Sequence, residues 1–242
     1  MSKRREIEAQ RREKERRQTT TLLVVIGVVA VVLIGSAVVI SVSQNQQQAS
    51  QPVMVSTKSP PVNAEENGRA WGPADAPIKV QEFIDYQCPS CGVQATQYEQ
   101  GIIDAFANTG KVRYEIHNLS FIGPESRDAA FAALCSAEQN KFWDMHATIF
   151  ANLQGENQGA LNSGRLRQMA EKLGLDLTAY DQCVSSAKHD ATLKADDALA
   201  SELGVNSTPS FVVNGKLYTG IRTAEDLRRI FAEVAPDVSL GQ

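Results

Sequence analysis

The sequence has few of the residues that usually build a metal site. It contains three histidines and four cysteines among 242 residues. The histidines, His117, His146 and His189, form no ligand-spaced pair, and no acidic loop has the pattern of an EF-hand. The helical spacing around His146 is typical of a packing residue rather than a ligand. We therefore expect no bound metal and no cofactor.

Residues 21–42 lack any charged side chain. Residues 1–21 contain eight Lys and Arg against four Glu, which gives this segment a net charge of +4. An apolar segment of this length spans a bilayer, and a basic flank favours the cytoplasmic side. We expect a cytoplasmic basic segment over 1–21, a single transmembrane helix over 22–42 and an extracytoplasmic remainder. A cleaved signal peptide, with small residues at 35–37 as its cleavage site, is the alternative.

The rest of the chain lacks an excess of positive charge. Subtracting the +4 of residues 1–21 from the formal charge of -4 leaves -8 for residues 22–242, which argues against nucleic acid as a ligand. Residues 43–67 are rich in Gln, Asn, Ser and Pro without apolar periodicity, and they are predicted to form a disordered linker. Residues 68–242 are long enough to bury about 70% of the unfolded chain's surface. They are predicted to form one globular domain.

Within this domain the spacing of apolar residues predicts both strands and helices. Strand character is found at 78–84, 111–117, 210–213 and 216–219, and Asn214-Gly215 between the last two predicts a hairpin. A helix is predicted through residue 108, with one face formed by Cys91, Ala95, Tyr98, Ile102 and Phe106. A helical stretch covers about 124–203, and Thr223 caps a final helix. This order predicts an α/β protein, a thioredoxin fold with a helical insertion, preceded by the single N-terminal transmembrane helix.

Two of the four cysteines stand three residues apart, in Cys88-Pro89-Ser90-Cys91, where a predicted strand gives way to a helix. The amides and the positive dipole end of that helix would stabilise a thiolate at Cys88, just before the first turn. Cys91 lies on the core-facing helical stripe, so we expect it to be less exposed and to react second. The pair is therefore predicted to be a redox centre rather than a zinc clamp.

The segment "EFIDYQCPSCG" resembles the active site of DsbA-like and BdbD-like thiol-disulfide oxidoreductases of the thioredoxin superfamily, in particular their membrane-anchored branch. Three further stretches match the pattern of that family in order: "GPADAPIKV", "CSAEQNKFWDMH" and "GVNSTPSFVVNGKLYTG". The resemblance covers residues 72–233. It implies an enzyme, a protein-disulfide oxidoreductase whose redox-active disulfide joins Cys88 and Cys91.

The resemblance implies roles for three further residues. Thr208 and Pro209 match the threonine and cis-proline that face the cysteine pair, where the Thr208 backbone would pair with a bound client chain. Glu82 matches the buried acid that exchanges protons with the second cysteine. A carboxyl group in a strand adjoining the core also tends to have a raised pKa. An edge-strand glutamate that faces water is the alternative for Glu82.

The two remaining cysteines lie in the predicted helical insertion. Members of the family often carry cysteines at the positions of Cys135 and Cys183, which implies a structural disulfide between them in an oxidising compartment. Two buried free thiols are one alternative. Relay of disulfides between Cys135 and the active site is another.

Together these inferences predict a dithiol oxidase at the cell membrane, with its catalytic domain extracytoplasmic, that introduces disulfides into reduced or unfolded secreted proteins. The resemblance implies reoxidation by a membrane protein of the DsbB or VKOR type. Local sequence does not fix the direction of exchange. A reductase or isomerase of the same fold, and a non-catalytic chaperone or binding module whose Cys88–Cys91 pair is only structural, are the alternatives.

Overall fold

The computed structural model describes residues 17, 22–23, 25–36, 51–56 and 58–240, in two units that comprise residues 1–47 and 48–242. In the first unit, residues 22–23 and 25–36 are helical. Within these described ranges, no helix combines the length and the apolar character that a bilayer crossing requires. In the predicted transmembrane helix over 22–42, residues 24 and 37–42 lie outside the described residues. In the predicted basic segment over 1–21, all residues but one lie outside them.

The second unit is built on a five-stranded mixed sheet with the strand order β1-β3-β2-β4-β5. The strands are β1 (Ala70–Trp71), β2 (Ile78–Ile84), β3 (Val112–Asn118), β4 (Ser210–Val213) and β5 (Lys216–Thr219). Strands β2 and β3 are parallel, and the other three neighbouring pairs are antiparallel. In the hairpin between β4 and β5, Asn214 and Gly215 both have positive φ, as a two-residue turn of this kind needs. The observed bounds of β2, β4 and β5 agree with those predicted from the sequence.

Helices cover both faces of this sheet. They are α1 (Pro89–Val93), α2 (Glu99–Phe106), α3 (Pro124–Ala137), α4 (Phe142–Ala151), α5 (Ser163–Lys172), α6 (Leu177–Ser185), α7 (Asp190–Glu202) and α8 (Ala224–Val234). Helices α2 and α8 meet through the rings of Phe106 and Phe231, 5.1 Å apart. Ala200 of α7 packs in a separate cluster with Phe83 of β2 and Val212 of β4. Helices α3–α7 form the predicted insertion between β3 and β4.

The helix that follows β2 differs from its prediction in register. A π-helical turn at Gln94–Tyr98 joins α1 to α2 and adds one residue to the turn. As a result Glu99 is buried, whereas Tyr98 is only half-buried. The predicted core face is therefore wrong at Tyr98, because a regular 3.6-residue period cannot anticipate a π-turn. The helix ends at Phe106, followed by a 3-10 turn and by Gly110 with φ of 65°.

The prediction of a disordered linker over 43–67 is wrong for the N-terminal segment, which we define as residues 51–56 and 58–67. The backbone of Met54 exchanges two hydrogen bonds with the side chain of Asn152. The side-chain amide of Asn63 donates a hydrogen bond to the carbonyl oxygen of Ala107 (2.7 Å). Val53 is buried in the core. Hydrogen bonds made by a segment without regular secondary structure leave no apolar period in the sequence, which is why composition alone was misleading. Residues 43–50 lie outside the described residues.

Candidate active site

The loop between β2 and α1 holds Cys88 in place through a buried carboxylate. Asp85 accepts hydrogen bonds from the backbone amides of Gln87 (2.8 Å), Phe121 and Ile122 (3.1 Å each). Its own carbonyl accepts the amide of Cys88 (3.0 Å). These bonds tie the redox loop to the loop after β3 and fix the direction in which α1 begins.

Helix α1 begins directly after Cys88, which occupies the N-cap position with φ of -71° and ψ of 118°. Pro89 takes the first helical position, where a missing amide proton costs little. Gly92 faces the insertion, since a Cβ there would lie 3.2 Å from Cδ2 of Leu153. A larger residue there would require the Leu153 side chain to shift by a few tenths of an ångström. The sequence Cys-Pro-Ser-Cys-Gly therefore suits both the start of the helix and its packing.

Opposite the cysteine pair, the peptide bond between Thr208 and Pro209 is cis. The carbonyl oxygen of Thr208 lies 3.3 Å from Sγ of Cys88. It accepts a hydrogen bond from the Cys88 thiol when that thiol is protonated. Thr208 and Pro209 also line a cavity of about 290 Å³, together with Ser90, Val93 and Arg222. The structure thus brings the residues assigned to client binding together beside the redox pair.

The Cys88 thiolate is stabilised by several donors. A hydrogen bond from the Cys91 thiol, helped by the Thr208 side chain and by the backbone amides of Cys91 and Ser90, lowers the pKa of Cys88 to about 6, against the effect of burial. The amides belong to the first turn of α1, as the sequence predicted. The leading contribution of Cys91 is one that the sequence analysis missed. With this pKa, about 90% of Cys88 is ionised at pH 7.

Cys91 behaves in the opposite way. It is 1% exposed, against 8% for Cys88. Burial, together with the hydrogen bond and the charge of the Cys88 thiolate, raises the pKa of Cys91 far above that of an ordinary thiol. In the described structure both thiols are free, so it represents the dithiol form. Cys88 is therefore the more accessible of the two and is the nucleophile, whereas Cys91 is its buried, protonated partner.

Glu82 lies on β2, on the face that also carries the core residues Val80 and Ile84. It is 2% exposed and accepts a short hydrogen bond from the Tyr114 hydroxyl. Burial, followed by the negative charge of Glu99, raises the pKa of Glu82 to about 8, although the Tyr114 bond opposes this. The alternative of a glutamate facing water is thus excluded. Glu82 has the proton affinity of a group that can both give and take a proton near neutral pH.

A second buried carboxyl group, that of Glu99, was missed by the sequence analysis. Its Oε1 lies 3.1 Å from Nε2 of His146, and the other ring nitrogen of His146 lies 3.1 Å from the Tyr86 hydroxyl. His146 is a buried packing residue, as predicted, but it also provides this polar contact. No periodic signal marks Glu99, because the π-turn brings it inward.

Cys135 of α3 and Cys183 of α6 are joined by a disulfide, with 5.8 Å between their Cα atoms. Their sulfurs and the His189 ring form the one group of three metal-type ligands that lie close together among the described residues. Because both sulfurs are bonded to each other, neither offers a thiolate to a metal. The bond closes a loop of 48 residues and links two helices of the insertion.

A redox cysteine pair at a helix start, opposite a cis-proline, indicates membership of one large family. A thioredoxin family model matches residues 64–233. The chain belongs to the thioredoxin family.

Within that family it is similar to the disulfide bond formation protein D of Bacillus subtilis, at 26% identity over 160 residues, covering 65% of this chain and 72% of the relative. The crystal structure of oxidised BdbD from the same organism covers 71% of this chain and 94% of its own, with a TM-score of 0.62 and 24% identity, and shows the shared fold. The resemblance to DsbA-like and BdbD-like oxidoreductases is confirmed.

Other curated relatives are much longer than this chain. A Na(+)/H(+) antiporter NhaA 3 of Salinispora tropica is 32% identical over 158 residues, which is 64% of this chain but 23% of the relative. The chain thus spans about a quarter of the length of the curated relatives of this kind.

Proposed function

We propose that this protein is an extracytoplasmic thiol-disulfide oxidoreductase that acts as a dithiol oxidase on secreted proteins. The observation that carries the proposal is the asymmetric cysteine pair, an acidic Cys88 at the start of α1 and a buried Cys91, opposite the cis peptide bond at Pro209. Such a pair accepts attack at one defined sulfur and releases the other.

The cycle begins with the Cys88–Cys91 disulfide. A client thiolate attacks Sγ of Cys88, a mixed disulfide forms, and Cys91 leaves as a thiolate. A second client thiolate then attacks the client sulfur of the mixed disulfide, so that the client gains a disulfide and Cys88 leaves as a thiolate. The client has lost two electrons and the enzyme has gained them. Reoxidation by a disulfide of a partner protein reverses these steps.

Glu82 supplies the proton that this cycle needs. When Cys91 leaves, it is a strong base in a buried site, and the protonated Glu82 carboxyl neutralises it. During reoxidation the same carboxylate takes the proton back before Cys91 attacks. A pKa of about 8 suits both tasks, because each protonation state is then populated near neutral pH.

The direction of exchange depends on how far the reduced form is stabilised. At pH 7, a Cys88 pKa of about 6 favours the reduced form by about 1.4 kcal/mol over an ordinary thiol with a pKa of about 8.5, which is about 30 mV for two electrons. Stabilisation of the reduced enzyme drives transfer of its disulfide to a client. This supports the oxidase direction.

The client chain would lie in the cavity that Thr208 and Pro209 share with Val93 and Arg222. A Thr208 backbone beside the reactive sulfur would pair with an extended client strand and hold its cysteine near Cys88. Val93 is 42% exposed at this cavity and offers an apolar contact. Because thiol-disulfide exchange needs mainly an unfolded chain with an accessible thiol, we expect broad selection of reduced or unfolded secreted proteins.

We further propose that the N-terminal apolar stretch tethers the domain to the outside of the cell membrane. The +4 charge of residues 1–21 before the uncharged stretch supports this orientation. The reoxidant would then be a membrane protein of the DsbB or VKOR type. The Bacillus subtilis relative, which is named for disulfide bond formation, supports a partner in such a pathway.

A reductase or isomerase is the second candidate, and one observation favours it. The Cys88 pKa of about 6 is closer to that of the thioredoxin nucleophile, about 7, than to that of DsbA, about 3.5. The two candidates differ in the activity of the purified full-length protein. The oxidase should restore activity to a reduced, unfolded secretory enzyme with glutathione disulfide as the oxidant. The reductase would be supported instead if the protein catalysed the reduction of insulin disulfides by a dithiol faster than it catalysed oxidation of that client.

A further inference from the structure

Gln87 directly precedes Cys88 and is fully buried, yet it has no part in the cycle described above. Its side-chain amide contacts the helical insertion. Nε2 of Gln87 donates to Oγ of Ser126, in the first turn of α3 (3.0 Å), and to Oδ1 of Asn157, in the loop between α4 and α5 (3.0 Å). In return, the backbone amide of Asn157 donates a short hydrogen bond to Oε1 of Gln87. Gln87 and Asn157 therefore exchange hydrogen bonds in both directions.

The loop between α4 and α5 is shaped and held so that it reaches Gln87. Asn157 has a φ of 52°, in the left-handed region that asparagine tolerates. Its side chain lies against Gly123, where a Cβ would be 2.2 Å from Oδ1 of Asn157, and Nδ2 donates to the Ile122 carbonyl (3.3 Å). The carboxylate of Glu125 accepts two further backbone amides of the same loop. The insertion thus presents Asn157 to Gln87 at a fixed position.

On its other side, Gln87 is part of the loop that holds the nucleophile. The backbone amide of Gln87 donates to the Asp85 carboxylate (2.8 Å), and the amide of Cys88 donates to the Asp85 carbonyl (3.0 Å). A buried side chain whose polar atoms are bonded resists displacement, because moving it leaves those atoms unpaired. The anchored Gln87 side chain therefore restrains the backbone at Cys88.

We propose that Gln87 is a positioning residue through which the helical insertion holds the Cys88 sulfur at hydrogen-bond distance from its donors. The thiolate depends on the Cys91 thiol, on Thr208 and on the first amides of α1. Hydrogen bonds weaken steeply when their geometry is disturbed, so a displaced Cys88 would lose part of several at once. The inference deepens the proposed function and rests on it for the catalytic use of Cys88.

The test is the pH dependence of alkylation of Cys88 by iodoacetamide in the reduced full-length protein, resolved by mass spectrometry of the Cys88 peptide. We expect a wild-type midpoint near 6. Gln87→Ala should raise the midpoint by about half to one pH unit, because part of the hydrogen bonding to a charged sulfur is lost. Gln87→Met, which fills the space but makes none of these bonds, should raise it as well.

A second variant removes the partner instead of Gln87. Asn157→Gly deletes the side chain, tolerates the positive φ and leaves the backbone amide that bonds to Gln87, so the midpoint should rise by less than in Gln87→Ala. Asn157 is exposed, so this variant tests the inference even if Gln87→Ala does not fold. The double variant should shift no further than Gln87→Ala, because both changes act through one contact.

The matched control is Asn152→Ala. Asn152 is a buried asparagine directly after α4, and its side chain bonds to Met54 of the N-terminal segment. Its loss should leave the Cys88 midpoint unchanged. None of these variants changes a charge, and the Asp85 carboxylate stays in place in all of them, so a shift reports the position of Cys88.

Wild-type midpoints in both Gln87→Ala and Asn157→Gly, or an equal rise in Asn152→Ala, would overturn the inference. A wild-type midpoint in Gln87→Met would overturn it too, since bulk rather than hydrogen bonding would then hold Cys88. Alkylation needs no client and no reoxidant. If the protein does not oxidise a reduced client but the midpoints move as described, only the proposed function fails. If it oxidises the client while the midpoints stay fixed, only the role of Gln87 fails.

Discussion

The strongest stabiliser of the Cys88 thiolate is the thiol of Cys91, so replacing Cys91 by alanine should make Cys88 less acidic. A hydrogen bond to a charged group contributes about 1.5–3 kcal/mol, which corresponds to about one to two pKa units. Starting from a pKa of about 6, the Cys88 pKa in Cys91→Ala should rise to between about 7 and 8. The thiolate fraction at pH 7 should then fall from about 90% to about 10–50%.

The assay is absorbance at 240 nm as a function of pH on the full-length variant. Cys135 and Cys183 are bonded to each other, so Cys88 is the one thiol that titrates. The rate of alkylation by iodoacetamide at pH 7 should fall in proportion to the thiolate. Cys91→Ser is the matched control, because its hydroxyl can still donate to the Cys88 sulfur, and its midpoint should stay closer to that of the wild type.

A Cys91→Ala midpoint equal to that of the wild type would refute this reasoning. It would mean that the amides of α1 and the helix dipole hold the thiolate by themselves, as the sequence alone suggested. A large rise in both variants would instead mean that position 91 acts through packing and not through a donated hydrogen bond.

Four further predictions concern Thr208, Glu82 and the Cys135–Cys183 disulfide. Thr208→Val should raise the Cys88 pKa, by less than Cys91→Ala does, because a weaker donor is lost; an unchanged 240 nm titration would exclude a role for this side chain. Glu82→Gln should slow reoxidation on the order of 100-fold and remove the inflection near pH 8 from its pH profile. Because the folded-state pKa of Glu82 is raised from 4.5 to about 8, its ionisation destabilises the folded protein increasingly as pH rises from 4.5 to 8 and fully above that. Glu82→Gln should therefore resist urea better than the wild type at pH 8.5 and equally at pH 4, and equal midpoints at both pH values would contradict the buried acid. Replacing Cys135 and Cys183 by alanine should lower the free energy of unfolding by about 4 kcal/mol, because the disulfide closes a 48-residue loop. The Cys88 titration should stay unchanged in this variant. A shifted titration would instead support exchange between the two cysteine pairs.

The strands that the sequence predicted well are those whose signals are local. The alternation in β2 and the Asn214-Gly215 turn between β4 and β5 need no knowledge of the rest of the chain. Strand β1 has two residues, Ala70 and Trp71, and exists because it pairs with β3. Such a strand depends on tertiary contact and leaves no pattern of its own.

The site was predictable where chemistry depends on sequence spacing. Two cysteines three apart at a helix start predict a nucleophile and a buried partner, and the structure has both. The burial of Glu99 was not predictable, because it depends on a π-turn. The cis bond at Pro209 could be expected only from the family resemblance, since trans is the default for most prolines.

The central claim is that Cys88 is a thiolate at neutral pH, and the pH dependence of the Cys88–Cys91 reduction potential tests it most directly. Below the Cys88 pKa, reduction takes up two protons with two electrons, and above it one, so the slope changes from about 59 to about 30 mV per pH unit. Glutathione redox titrations of the full-length protein should show this break near pH 6. A slope that stays near 59 mV per pH unit up to pH 8 would contradict the account.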